Sequence, residues 1–195
     1  LAPIVLFTYN RPNHLSQTIN SLKKNLRANE SNLYIYSDGP KNNQDANLVS
    51  LVREYIKSID GFKSINIIER DKNWGLANNI INGVTSVVNE YGKIIVLEDD
   101  LILSPYYLNF LNNALNHYKD EKKVWHISGY NLPFDSNGLA DTYFMRLMIC
   151  SGGWGTWADK WNYFERNPKK LLEEFSQKDI FHFNLEGARL FWNQV

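Results

Sequence analysis

At 195 residues the chain can bury a sizeable core, and its 44% hydrophobic and 22% charged residues are ordinary for a soluble globular domain. Acidic and basic residues balance at 21 each, which argues against a nucleic-acid partner, because such binders carry a basic excess. A single cysteine, Cys150, leaves no disulfide framework or thiolate metal site within one chain, and no apolar run approaches the ~20 residues of a membrane span.

The chain opens almost inside its first apolar run, Pro3 to Tyr9 (PIVLFTY), which predicts a buried strand. Asn10-Arg11-Pro12-Asn13 breaks it, and Pro12 suits the first turn of a helix whose apolar positions are Leu15, Ile19, Leu22 and Leu26. A second strand is predicted over Leu33 to Ser37, stopped by Asp38-Gly39-Pro40, and a second helix with Leu48, Leu51, Val52, Tyr55 and Ile56 inward. Ile65 to Glu69 reads as a third strand and Leu76 to Tyr91 as a third helix. Lys93 to Leu97 reads as a fourth strand and Pro105 to Tyr118 as a fourth helix. Four strand-helix units in succession imply an α/β fold, a mostly parallel sheet with helices on both faces. Beyond Val124 the pattern is irregular and dense in Gly, Asn, Pro and Trp. The chain stops at Phe191-Trp192-Asn193-Gln194-Val195 without a cap, and no signal peptide precedes Leu1, so a segment of a longer protein is expected.

Ligands of such sheets bind outside the carboxyl ends of the strands. Those ends are Thr8-Tyr9-Asn10-Arg11, Ser37-Asp38-Gly39, Arg70 to Gly75 and Glu98-Asp99-Asp100, and all are polar. Three adjacent carboxylates after a buried strand repel one another unless a cation is near. Hard oxygen ligands suit Mg²⁺ or Mn²⁺ with phosphate oxygens completing the shell. The alternative is a solvated loop in which Asp100 caps the next helix. Asp38 at a strand end has the chemistry to accept the imide N–H of uracil, although Asp-Gly is also a common turn. Arg11 pairs with a phosphate or lies on the surface. Gly75 permits a tight helix entry, with Asn73 and Asn79 presenting amides to the cleft. Ser151 to Trp161 combines three glycines with Trp154, Trp157 and Trp161, either as stacking faces for a sugar or as core filling. The four histidines show no ligand spacing.

With these residues laid out, the chain resembles the GT-A fold glycosyltransferases, most closely the inverting, metal-dependent N-acetylglucosaminyltransferase I type and its bacterial, family 2-like relatives. The resemblance implies a single catalytic domain over 1–195, cut short at its C-terminus. Its nucleotide-binding half would be 1–101 and its acceptor-side half 102–195. It implies that Thr8, Asn10 and Arg11 contact the nucleotide-sugar, that Asp38 meets uracil, and that Arg70, Asn73, Gly75 and Asn79 belong to the segment closing over the donor. In the acidic triplet, counterpart of the DxD motif, Asp100 would bind Mn²⁺ or Mg²⁺ while Glu98 and Asp99 contact sugar and ribose. Trp154 and Trp157 would lie on the acceptor side.

The implied reaction moves a hexosyl or N-acetylhexosaminyl group from a UDP-sugar to a glycan or other hydroxyl acceptor. Its setting would be surface polysaccharide synthesis, in the cytoplasm at the membrane surface. Two departures stand out. Asn10 replaces an acid often found there, and no Asp-Trp counterpart of the family's catalytic base precedes Val195. The base is therefore expected beyond the chain's end, with Asp159 the fallback. A sugar nucleotidyltransferase is the weaker rival, since Asn10-Arg11-Pro12 stands where that class has a Gly-rich loop. A binding domain without catalysis is the other.

Overall fold

The computed structural model describes residues 1–130, 137–138 and 152–194. The chain forms two compact units, Leu1–Leu132 with Ile149–Asn162, and Pro133–Met148 with Tyr163–Val195. The first unit holds a six-stranded sheet of β1 (Ile4–Thr8), β2 (Asn32–Ser37), β3 (Ser64–Glu69), β4 (Lys93–Glu98), β5 (Ile127–Ser128) and β6 (Trp154–Trp157). The strand order is β3-β2-β1-β4-β6-β5. The first four strands are mutually parallel, and β6 runs antiparallel to β4 and to β5.

All five residues of β1 and the four of β4 from Ile94 to Leu97 are buried. Continuous apolar runs of this kind belong to strands covered on both faces. On one face α1 (Pro12–Lys23), α2 (Asn43–Lys57) and α4 (Tyr107–His117) pack Leu15, Ile19, Val52, Ile56, Leu108 and Leu111 against Ile4, Leu6, Ile35 and Ile95. On the other, α3 (Leu76–Tyr91) packs Val84, Val87 and Val88 against Val5, Phe7, Tyr36 and Val96. Pro12 does open α1. Two predicted apolar faces are corrected. The first helix ends at Lys23, so Leu26 falls in the following turn and is exposed. Along α2 the buried stripe is Val49, Val52 and Ile56, which leaves Leu48 and Leu51 exposed, because the helix lies on the sheet about a fifth of a turn away from the expected face.

The approach of α3 to the sheet depends on Gly83. A Cβ there would lie 2.7 Å from Phe7 Cε1 and 3.2 Å from Tyr36 Cε2. Both rings are buried in a close-packed cluster and have little room to yield. Gly83→Val should therefore destabilise the protein by about 1–3 kcal/mol through overpacking, in spite of its gain in apolar area. A urea denaturation midpoint at or above wild type would show that α3 can shift outward without loss.

In the second unit the described residues form two short helices, α6 (Pro168–Glu174) and α7 (Gln177–Phe183), and a 3-10 turn, Phe191–Gln194. Ser176 and Asp179 make a reciprocal capping box at the start of α7, and Phe175 stacks on Trp192 at 4.9 Å. The first unit also contains α5 (Ala158–Trp161), directly after β6. Among the described residues no helix is long and apolar enough to cross a membrane.

Candidate functional site

Chain order runs outward from β1 to β3 and then returns to place β4 on the far side of β1. The carboxyl ends of β1 and β4 therefore flank the point where a doubly wound sheet opens a crevice. Thr8-Tyr9-Asn10-Arg11 leaves one of these ends and Glu98-Asp99-Asp100 the other.

A compact set of bonds joins the two ends. The Thr8 hydroxyl donates to Asp99 Oδ2 at 2.9 Å, and the Tyr9 N–H donates to the same oxygen at 3.2 Å. Arg11 Nη2 donates to Asp99 Oδ1 at 2.5 Å and its Nη1 to Asp100 Oδ2 at 3.1 Å. The first cation met by the acidic triplet is thus the chain's own guanidinium. Partial burial works to lower the Arg11 pKa, but Asp99 and Asp100 outweigh it and hold it above its usual value. Glu98, half-buried, has its pKa raised by desolvation first and by the charges of Asp100 and Asp99 next, with Arg11 opposing.

The triplet divides its labour by exposure. Asp99 is buried, at 1% exposure, and both of its oxygens are engaged within the protein. Asp99 and Thr8 thus form a structural tie between β1 and β4, and the donor contacts expected of them would need one of these bonds released. Asp100 is the exposed member, with 42% of its side chain accessible.

Asp38 anchors a second loop. Its Oδ1 accepts from Gly39 N–H at 2.9 Å and Trp74 N–H at 2.8 Å; its Oδ2 accepts from Gly75 N–H at 3.0 Å and Asn73 Nδ2 at 3.2 Å. An ionised carboxylate offers about four lone-pair directions, so these bonds fill it. The uracil contact expected of Asp38 would need one of them released. Gly39 allows the two loops to meet, because a Cβ there would collide with the backbone of Lys72. Gly75, at φ +74, makes the turn into α3.

Arg70 lies over the Trp74 ring at 4.0 Å and the Tyr36 ring at 5.0 Å, a cation–π arrangement. Its Nε bonds the buried Asn79 Oδ1 at 3.1 Å and its Nη2 bonds Asn82 Oδ1 at 2.6 Å. Asn79 therefore orients Arg70 and does not itself line the cleft. Asn10 bonds Asp45 in the first turn of α2 at 2.7 Å.

The late tryptophans separate. Because β6 is antiparallel to β4, Trp154 pairs with Val96 near the crevice edge, while Trp157 pairs with Lys93 at the opposite edge. Trp157 is buried and its Nε1 donates to Leu115 O at 3.0 Å, so its expected ligand role is corrected to core packing. Half-buried Trp154 packs near Trp161 at a ring separation of 5.9 Å. Asp159 follows the far end of β6, beside Gly92, whose carbonyl accepts from Ala158 N–H at 2.9 Å. The length of β4, about 16 Å at 3.3 Å per residue, separates that edge from the triplet. Asp159 pairs there with Lys160 at 3.2 Å, and its candidacy as the base is corrected on position alone. Ser151, the first residue of the glycine- and tryptophan-rich segment, lies outside the described residues.

The sequence matches the family described as Glycosyl transferase family 2 over residues 4–195. The chain belongs to that family. No curated protein matches it. Similar solved structures include TarS of S. aureus (12% identity, TM-score 0.43, covering 60% of this chain and 20% of that one). TarS 1–349 in complex with UDP has 12% identity and a TM-score of 0.43, covering 69% and 38%. A mannosyltransferase, PcManGT from Pyrobaculum calidifontis, in complex with GDP-Man and Mn²⁺, has 11% identity and a TM-score of 0.48, covering 65% and 34%. The chain thus spans from 20% to 38% of the length of these proteins.

The family 2 domain has a GT-A architecture, and its residues can be tested against a divalent ion. Among the described residues no group of three or more His, Cys, Asp or Glu side chains is arranged to hold a metal, so a cage made by the protein alone is not formed there. A Mg²⁺-like ion does not require one, since one or two carboxylates plus substrate phosphates suffice. Exposed Asp100, with half-buried Glu98 two residues before it, fits that pattern.

Two further side chains brace the loops at the strand ends in ways the sequence did not announce. The Tyr9 hydroxyl accepts from Lys41 N–H at 2.9 Å and so closes the β2 loop onto β1. Arg53 on α2 donates to the Arg70 carbonyl at 2.6 Å and lies 3.6 Å from Glu69, bracing the ends of β2 and β3. An arginine on the flank of an amphipathic helix looks the same in sequence whether or not it makes such a brace.

Proposed function

We propose that this domain transfers a sugar from a UDP-sugar to an acceptor hydroxyl in glycan or surface polysaccharide synthesis. Transfer would proceed with inversion and with Mn²⁺ or Mg²⁺ held by Asp100. The observation that carries the reading is the exposed Asp100 carboxylate at the β1/β4 junction, opposite Arg11 and one residue after a buried, fully bonded Asp99. When bound, the cation supplies charge neutralisation for the departing diphosphate. Arg11 is placed to meet the same diphosphate through its planar fork of donors. Asp38 holds the loop of Asn73, Trp74 and Gly75, which would border the base end of the nucleotide, and Asn79 keeps Arg70 stacked beneath Trp74. Trp154 stands at the crevice edge for the sugar or acceptor. A base on the sugar face opposite the diphosphate would take the acceptor proton.

The test is thermal unfolding of the full-length protein with a panel of nucleotide sugars, with and without Mn²⁺, followed by radiolabel transfer with the stabilising donor. A UDP-sugar at 100 times its Kd should raise the midpoint by roughly 5–10 °C only when metal is present. Stabilisation by no nucleotide sugar would overturn the reading, and stabilisation without transfer to any hydroxyl acceptor would favour a binding domain. Asp159→Asn should leave the transfer rate within about twofold of wild type, against the ~10²–10⁴-fold loss expected of a general base. A loss of that size in a steady-state assay would return Asp159 to the mechanism.

A further inference from the structure

Arg11 occupies the carboxylate that the proposed metal needs. Its two contacts differ in setting. The bond to Asp99 reaches a side chain only 2% exposed, whereas the bond to Asp100 joins two side chains exposed at 42–43%. Asp99 Oδ2 is already committed to Thr8 and the Tyr9 N–H, so Asp99 is fixed in place and its Oδ1 is a stable seat for Arg11 Nη2. Asp100 has no comparable tie, and the longer 3.1 Å contact to Nη1 is the one that can open.

We propose that Arg11 is a resident counterion that competes with the divalent cation for Asp100 and gives it up when a nucleotide diphosphate offers its own oxygens. This rests on the reading of Asp100 as the metal ligand. A metal bound to the Asp100 carboxylate and a guanidinium 3.1 Å from the same carboxylate are like charges in near contact, so the two disfavour each other. A diphosphate removes the conflict, because it adds negative charge between them and accepts the released Nη1. Metal alone then binds weakly, diphosphate alone finds one prong of Arg11 already occupied, and the two together bind cooperatively. Their coupling is reciprocal by necessity. The consequence is a site that does not hold a bare divalent ion and assembles only on its nucleotide.

The experiment measures Mn²⁺ binding by the electron paramagnetic resonance signal of the free ion, on the full-length protein, first without nucleotide and then with saturating UDP. Arg11→Gln removes the charge, Arg11→Lys keeps the charge without the fork, and Asp100→Ala removes the ligand. Arg11→Gln should bind Mn²⁺ alone roughly tenfold more tightly than wild type, and the factor by which UDP tightens Mn²⁺ should shrink by a similar amount. Arg11→Lys should stay near wild type for Mn²⁺ alone, and it carries the comparison if the Gln variant does not fold. For the Lys variant the expected result is a weaker coupling to UDP, since a point charge cannot bridge Asp99 and the diphosphate.

If Arg11→Gln binds Mn²⁺ alone no more tightly than wild type while Asp100→Ala abolishes binding, Arg11 is not a competitor and the metal reading survives without it. If Arg11→Lys couples Mn²⁺ to UDP as strongly as wild type, charge alone carries the coupling, and the transfer of the released Nη1 from Asp100 to the diphosphate is overturned. If Mn²⁺ binds no form of the protein through Asp100, with or without UDP, the metal reading and this proposal fall together.

Discussion

Asp100→Ala should abolish Mn²⁺-dependent UDP binding and leave the ligand-free protein almost as stable as wild type. The two effects separate because Asp100 is the exposed member of the triplet and is bonded to Arg11 alone among the described residues. An ion pair of that kind contributes about 0–1 kcal/mol, so the unfolding midpoint should move by no more than roughly 4 °C. Arg11 keeps its second seat on Asp99, and the tie between β1 and β4 through Thr8 and Tyr9 is untouched. The loss of metal-dependent affinity should exceed the roughly 10–100-fold seen when a group that merely orients a metal ligand is removed. Calorimetric titration of UDP with and without Mn²⁺ checks the first effect and a melting curve the second. Wild-type metal dependence in the variant would take Asp100 out of the metal role. A collapse of stability would mean that it supports the fold.

For Asp38 the opposite balance is expected, with stability and nucleotide affinity lost together. Its carboxylate is buried and accepts the backbone N–H groups of Gly39, Trp74 and Gly75 as well as the Asn73 amide. Asp38→Ala leaves these donors without their acceptor, and an unpaired buried donor costs about 1–3 kcal/mol. Water can reach part of the loop, which reduces the sum to about 2–4 kcal/mol for the whole substitution. Asp38→Asn should be little better, since one oxygen becomes an amide N–H₂ that faces backbone donors. With the loop released, Trp74 loses its place over Arg70, and UDP affinity should fall more than pyrophosphate affinity. Urea denaturation together with paired titrations of the two ligands decides it. Equal losses for UDP and pyrophosphate would place the loop at the diphosphate, and unchanged stability would show that solvent replaces Asp38 as acceptor.

The arrangement of the fold was legible because local chemistry and long-range packing agree. The runs Ile4–Thr8 and Ile94–Leu97 are too short and too uniformly apolar for surface helices, and Pro12 and Gly92 punctuate their neighbours. Strands parted by helices have few arrangements open to them other than a parallel sheet. The bounds of α3, Leu76 to Tyr91, were readable to the residue, because Gly75 and Gly92 punctuate its two ends. The buried stripe of α2 was not, because Leu48 and Leu51 are as apolar as the Val49 that packs, and only contact with β2 and β3 chooses between them.

At the site, the residue types at the strand ends were enough to name the cluster, since four polar termini of buried parallel strands converge on one edge whatever the details. What each carboxylate does was decided in three dimensions. Glu98, Asp99 and Asp100 are equivalent as letters. The pleat and the neighbouring end of β1 bury Asp99 under Thr8 and Arg11, leave Glu98 half-covered and turn Asp100 outward. Asp38 looked like a ligand group and is filled by backbone donors from a loop some 35 residues later, a distance over which sequence carries no pairing signal. Trp157 and Asp159 follow a glycine-rich segment that suggests a binding wall. The antiparallel entry of β6 carries both to the opposite edge of the sheet. Strand direction is a property of the assembled sheet, set by which hydrogen-bonding edge of β4 remains open, and no short stretch of sequence records it.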